Sequence, residues 1–336
     1  MVENDESVMI NSVYTMKEIP VFFTFDRYYV LAACVAFYSL LKNSSNRYYY
    51  KFYVLHTDLK ERDKLRLYKV VSRFFNASLD FKDVSCYNVD GWNQLLNKSH
   101  FSKEIFYKLI AADIFPSYNR ILFSDVDVVF VNDISSSFFM YLDEDFYFAG
   151  TRPILKNEGL YKYDNLFTPE EIDIIDNYEI SAGYMLINLS CIRRDNKQKE
   201  LMDFFWKNTH RLVLPEQDCI ALCCTSGIRF LPYKYVVCAF QYYIPLSQLN
   251  FNTNNIELKD RQRACECYLE MLNNVVQLHY PGVNKPWNNP TVYRYKEWFV
   301  YCVKSRQVLF YLLMQPIFFL QRVKRYSLRR FLSKLK

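Results

Sequence analysis

The first half of the chain alternates short apolar runs with longer amphipathic stretches. Residues 19–25 (IPVFFTF) form an unbroken apolar run of strand length, and residues 27–41 follow as an apolar helix candidate. Residues 50–56 (YKFYVLH) read as a second strand, 58–75 as an amphipathic helix, 78–84 (SLDFKDV) as a third strand and 103–115 as another helix. The next apolar run, ILFSDVDVVFVND at 121–133, carries two aspartates, Asp125 and Asp127. This βαβαβ order predicts an α/β fold, a parallel sheet with helices on both faces, with ligands at the carboxyl ends of its strands. The second half is less regular. It offers a strand at 146–149, a polar loop and short helix through Asn177, and a strand at 184–189 (YMLINL). Helices at 191–208 and 217–224 follow, and then a strand at 275–280 (VVQLHY). There is no internal repeat or low-complexity linker, so one main domain with a tail is expected.

Composition narrows the classes. With 336 residues and 51% of them apolar, the chain can bury a substantial core. Glycine occurs only six times, which excludes a fold that leans on glycine-rich phosphate loops. The net charge of +6 divides unevenly: residues 300–336 hold nine Lys or Arg and no acid, so the rest of the chain stands at −3. A slightly acidic body lacks the continuous basic groove of a nucleic-acid binder. The basic, aromatic-rich tail reads as an interfacial membrane anchor, with a terminal helix packed on the core as the alternative. Its longest apolar stretch, 308–320, is short of the roughly 18 residues that suggest a span and is interrupted by Pro316. The acidic start MVENDESV has no signal-peptide character. The ten cysteines, with no paired CxxC knuckles, read as reduced core thiols, including Cys219, Cys223, Cys224, Cys265 and Cys267. A cytoplasmic chain, peripheral on the inner face of the cytoplasmic membrane, is expected.

Two constellations could carry chemistry. Asp125 and Asp127 at i and i+2 of a strand share a face, and two hard oxygen ligands suit Mg(II) or Mn(II). On spacing alone a solvated strand end is an equal reading, and Asp133 in NDIS fits a turn entering a helix. Asp26, just past the first strand, would share the same sheet edge. The second constellation is LHYPGVNKPW at 278–287, where His279 could complete a manganese site and Lys285 could neutralise a phosphate. A hydrogen-bonded structural histidine is the bland alternative. DVDVV also fits a haloacid dehalogenase-like phosphotransferase, with Asp125 as nucleophile and Asp127 as acid/base. That reading needs a later acidic pair for magnesium, which is missing, and leaves LHYPGVNKPW unexplained. An inactive sugar-nucleotide-binding scaffold is a third reading.

Across residues 19–301 the chain resembles glycosyltransferase family 8, the bacterial lipopolysaccharide galactosyl- and glucosyltransferases related to glycogenin. The resemblance rests, in order, on VFFTFDRYYVLAACVAFYSLL, FYKLIAADIFPSYNRILFSDVDVVFVNDIS, SAGYMLINLS, PEQDCIAL and LHYPGVNKPW. It implies a GT-A type, Rossmann-like mixed sheet flanked by helices over residues 18–300, and a basic amphipathic membrane-associating tail over 301–336. It implies Mn(II), or Mg(II), held by Asp125, Asp127 and His279, and a UDP-hexose donor. Thr24, Asp26 and Tyr29 fall on the uridine contacts, and Gly282 and Lys285 on the diphosphate. Lys108 stands where an arginine near the donor sugar is usual. Gln217 stands where a polar side chain faces the anomeric carbon, and Glu216 is the acidic candidate beside it. The implied activity is retaining transfer of a hexose to a glycan or glycolipid acceptor. Ser181-Ala182-Gly183 replaces the usual Asn-Ala-Gly, Glu216 replaces an aspartate, and an acidic residue of the sugar pocket is replaced near Arg152. The choice of hexose therefore stays open.

Overall fold

The computed structural model describes residues 16–87, 103–156 and 163–333. The acidic start MVENDESV and the last three residues of the tail lie outside that range, as does part of the polar loop before the helix ending near Asn177. The central sheet has seven strands in the order β3-β2-β1-β4-β7-β6-β8. These are β1 (Lys17–Thr24), β2 (Tyr48–His56), β3 (Ala77–Asp83), β4 (Arg120–Ser124), β6 (Phe148–Thr151), β7 (Tyr184–Asn188) and β8 (Ile228–Leu231). A second sheet joins β5 (Val128–Phe130), β10 (Gln277–His279) and β9 (Val237–Cys238) in that order.

The continuous apolar runs follow from burial on both faces. Along β1, Val21 and Phe23 enter one core and Phe22, between them, enters another. Helix α1 (Val30–Asn43) covers the first, with Phe37 against Phe23 at 4.5 Å between ring centroids. Helix α2 (Glu61–Val71) packs beside α1 through Leu67, Val70 and Val71. The second core lies under α4 (Lys197–Asn208) and α5 (Pro215–Cys224), through Leu201, Phe205, Cys219 and Ile220. Helices α3 (Pro169–Tyr178) and α6 (Arg261–Asn273) flank this body. Helices α7 (Tyr295–Lys304) and α8 (Val308–Ser333) close the chain.

Four sequence expectations change. The sheet is not the parallel one read from the βαβαβ order but the mixed one that the resemblance implies, because β7 runs antiparallel to β4 and β6. The segment leaving β6 returns to the same edge, where Ser181 N donates to Thr151 O at 2.8 Å, so the strand entering there must run backwards. The helix expected at 103–115 is instead a 3₁₀ turn, Lys103–Lys108, and a short α-helix, Ala111–Ile114. The helix expected at 191–208 divides at Asn196, whose φ of 51° is left-handed, a conformation asparagine tolerates. The apolar tail does not stop at Pro316: α8 continues through it to Ser333. Pro316 is exposed there, so the carbonyl it leaves unbonded one turn earlier, at exposed Leu312, can meet water. All ten cysteines are free thiols, and Cys34, Cys191, Cys219, Cys224 and Cys302 are buried.

Candidate active site at the carboxyl edge of the sheet

Asp125 and Asp127 do not lie within one strand. β4 ends at Ser124 and β5 begins at Val128 in the other sheet, so the two aspartates occupy the crossing between sheets. Asp125 N donates to Gly183 O at 3.0 Å, which ties the crossing to the entry of β7. Antiparallel pairing sets His279 opposite Val128, and Tyr280 N donates to Asp127 O at 3.0 Å. The convergence expected from strand spacing is thus produced by pairing between remote segments.

His279 Nε2 lies 3.3 Å from Asp127 Oδ1 and 4.0 Å from Asp125 Oδ2. One ligand atom from each of the three residues falls within 4.8 Å of the others. Lys285 Nζ contacts Asp127 Oδ2 and donates to Tyr280 O at 2.7 Å. On the other side Lys108, 3% exposed, reaches Asp125 Oδ1 at 3.4 Å, Glu216 Oε1 at 3.2 Å and Ala182 O at 3.1 Å. Burial disfavours charge on Lys108, but Asp125 and Glu216 outweigh it and hold its pKa above the ordinary lysine range.

The carboxylates are pushed in opposite directions. Burial raises Asp125, partly offset by Lys108 and reinforced by Asp127. Burial also works to raise Asp127, but Lys285 and His279 overcome it and hold Asp127 well below the carboxylate range. Burial works against charge on His279, yet Asp127 lifts its pKa to about 10. The two carboxylates face three basic groups, His279 and Lys285 at Asp127 and Lys108 at Asp125, positive charge that a divalent cation can in part replace. Two carboxylate oxygens and an imidazole nitrogen suit Mn(II) or Mg(II), and their small separation fits one ion. Metal entry requires His279 to release its proton.

The expected nucleotide residues gather nearby. β1 is parallel to β4, with Phe22 beside Phe123, so Thr24 and Asp26 emerge next to Asp125. Thr24 Oγ1 is buried with no hydrogen-bond partner among the described residues, and Asp26 Oδ1 accepts from Tyr28 N at 2.8 Å. Tyr29 meets Trp287 edge-on at 5.4 Å, joining the first strand to the closing motif. Gly282 has φ of 81°, a turn conformation that favours glycine, with nothing within 4 Å of where a Cβ would stand. Gln217 bridges two groups: its Oε1 accepts from Ala182 N at 3.1 Å and its Nε2 donates to Glu179 Oε1 at 3.0 Å. Arg152, by contrast, turns to Asn177 O at 3.0 Å and lies over the Phe230 ring at 4.3 Å.

Two further contributors, Gly183 and Gln277, are given no role at the site by the sequence. A Cβ on Gly183 would come within 3.2 Å of His279 Cε1 and 3.4 Å of Asp125 Oδ2. Gln277, fully buried, donates to Ser124 Oγ at 2.8 Å and Gly183 O at 3.3 Å, stitching the two sheets beneath the aspartates. A glutamine inside the apolar run VVQLHY was the one visible hint.

A mixed sheet flanked by helices, with an Asp-Asp-His cluster at its carboxyl edge, defines a GT-A type fold. The sequence profile of Glycosyl transferase family 8 matches residues 20–291, most of the chain, which belongs to that family and is a glycosyltransferase. General stress protein A of Bacillus subtilis (strain 168) is 24% identical over 267 residues, 78% of this chain and 84% of that protein. Among solved structures, the bifunctional WbbM glycosyltransferase superposes with a TM-score of 0.71 at 21% identity, covering 89% of this chain. The chain spans 52% of that protein's length. The galactosyltransferase LgtC, solved with donor and acceptor sugar analogs, gives a TM-score of 0.59 at 17% identity over 85% of this chain and 96% of LgtC. Family membership removes the phosphotransferase reading of Asp125, and no further acidic cluster suited to a metal occurs among the described residues.

Proposed function

We propose that the protein is a retaining, metal-dependent hexosyltransferase. It moves galactose or glucose from a UDP-sugar to a saccharide acceptor in lipopolysaccharide, capsule or another surface glycan. The observation that carries this reading is the convergence of Asp125, Asp127 and His279 within 4.8 Å, with Lys285 on the same carboxylate. Asp125, Asp127 and His279 would hold a divalent ion, which when bound would supply a Lewis acid for the leaving diphosphate. Lys285 supplies a second positive charge to the same oxygens, and Gly282 lets the backbone approach them. Thr24, Asp26 and Tyr29 receive the uridine; the Thr24 hydroxyl, without a partner among the described residues, is a ready donor or acceptor for it.

Retention is best served by front-face transfer. The acceptor hydroxyl attacks on the side from which UDP departs, and a phosphate oxygen takes its proton. The Gln217 carbonyl, fixed by Ala182 N–H, steadies the positive charge that develops at the anomeric carbon. Glu216 is committed to Lys108, which makes it a poor nucleophile for double displacement. The test is UDP release with Mn(II) over a panel of UDP-hexoses, with Asp127→Ala as control. Release confined to one hexose and lost in the control supports the reading; release that persists in the control defeats the metal assignment. UDP binding without turnover of any sugar would favour an inactive scaffold.

The tail belongs to the same proposal. Residues 18–300 form the catalytic unit and 301–336 attach it to the inner face of the cytoplasmic membrane, beside a glycolipid acceptor. No helix among the described residues is long and apolar enough to cross a membrane. On α8, Leu309, Leu312, Leu313, Phe319 and Leu320 are exposed, at 70%, 57%, 65%, 57% and 60%. The basic residues that follow them in sequence suit an anionic lipid surface.

A further inference from the structure

Glu179 is an unexpected carboxylate. It caps the carboxyl end of α3, where its N–H donates to Ile175 O at 2.8 Å, and a negative charge at that end opposes the helix dipole. The residue is half-buried, and no cation is paired with it among the described residues. Its one side-chain hydrogen bond there accepts Nε2 of Gln217 at 3.0 Å. The other end of the same amide, Oε1, accepts Ala182 N–H at 3.1 Å. The geometry points to Glu179 as a positioning residue that fixes which way the Gln217 amide faces, and so presents its carbonyl to the reacting sugar. This rests on the transferase reading of the site.

The chemistry of the two contacts permits one orientation of the amide. Flipping it would set Nε2–H₂ against the Ala182 N–H, donor against donor, and Oε1 against the Glu179 carboxylate, acceptor against acceptor. An ionised Glu179 also polarises the amide and strengthens the partial negative charge on Oε1. Protonated Glu179 can itself donate and no longer dictates the orientation. Burial, with the nearby charges of Asp218 on α5 and Asp176 on α3, raises the Glu179 pKa to about 7. Among the described residues those two acids are the charged groups acting on it, and Gln217 opposes them by bonding the ionised form.

Two measurements test the pairing. In the metal- and nucleotide-free protein labelled with ¹⁵N-glutamine, the Gln217 side-chain resonance is identified by its loss in Gln217→Ala. It should shift with a midpoint near pH 7 in the unaltered protein and lose that step in Glu179→Gln, where the titration of neighbouring Asp218 near pH 6 is left. In turnover with the preferred UDP-hexose, Glu179→Ala should lower kcat roughly 10- to 100-fold, as a displaced catalytic group does, with KM for the donor changed less than about 2-fold. Glu179→Gln, which can still accept Nε2, should retain more of kcat. In a Gln217→Ala background Glu179→Ala should add no loss beyond about 2-fold, because both act through one group. A Gln217 resonance that titrates unchanged in Glu179→Gln, or equal losses in both backgrounds, overturns the pairing. No turnover of any UDP-hexose by the unaltered protein instead defeats the transferase reading, and with it the catalytic purpose of the pair.

Discussion

Lys108 answers two carboxylates from a position 3% exposed, Asp125 at 3.4 Å and Glu216 at 3.2 Å. Removing its charge leaves the buried Glu216 and the half-buried Asp125 without the cation between them. Lys108→Met should therefore cost about 3–5 kcal/mol in urea unfolding, the scale of a broken buried pair. Two further acids are raised, Glu179 from 4.5 to about 7 and Asp218 from 3.8 to about 6, both chiefly by burial. Between the unfolded and folded values the folded chain holds protons that the unfolded chain has released, so stability falls as pH rises. Urea midpoints of Glu179→Gln should accordingly gain on those of the unaltered protein from about pH 4.5 to 7 and hold a constant lead above it. At this scale the sequence displayed the metal and diphosphate candidates, because Asp, His and Lys stand out in apolar runs. It concealed Glu179, and it brought in Ala182 and Gly183 only through the family resemblance, since their parts are set by hydrogen bonds and clearance between remote segments.

At the scale of elements, the break between β4 and β5 decides the site. The apolar run 121–133 looked like one strand, and no local propensity marks where a chain passes from one sheet to another. What holds the crossing is pairing: Asp125 N to Gly183 O, Tyr280 N to Asp127 O, and Gln277 beneath. Gly183 also leaves the space that His279 and Asp125 need. Gly183→Ala should weaken Mn(II) binding at least about 10-fold, on the scale of disturbing groups that orient metal ligands, with little change in the melting temperature. Calorimetric titration with Mn(II) beside a thermal melt checks both parts. The first strands and helices were legible because their periodicity and burial agree. The reversal of β7 and the strands β8 and β9 were not, being short or fixed by the return of the chain to the same sheet edge.

Over the whole molecule, two cores hold the seven-stranded sheet from either side, and the first part of the tail belongs to one of them. Tyr311 and Phe318 of α8 enter the main core with Trp298, and Gln315 Nε2 donates to Trp287 O at 3.0 Å. The tail expected as an anchor therefore begins as a packed helix while turning leucines outward. Deleting residues 324–336 should weaken binding to anionic vesicles and leave the melting temperature nearly unchanged. Deleting 308–336 should lower both, because the second deletion also removes core contacts. Vesicle sedimentation that is equal for the full chain and both deletions would remove the membrane role.

The central claim, that Asp125, Asp127 and His279 together hold the cation that receives a uridine diphosphate, is tested most directly by calorimetric titration of UDP with and without Mn(II). The unaltered protein should bind UDP strongly only with the metal, and His279→Ala should lose at least about 10-fold in affinity as a metal ligand is removed. Equal UDP affinity with and without Mn(II), or in His279→Ala and the unaltered protein, would contradict the account.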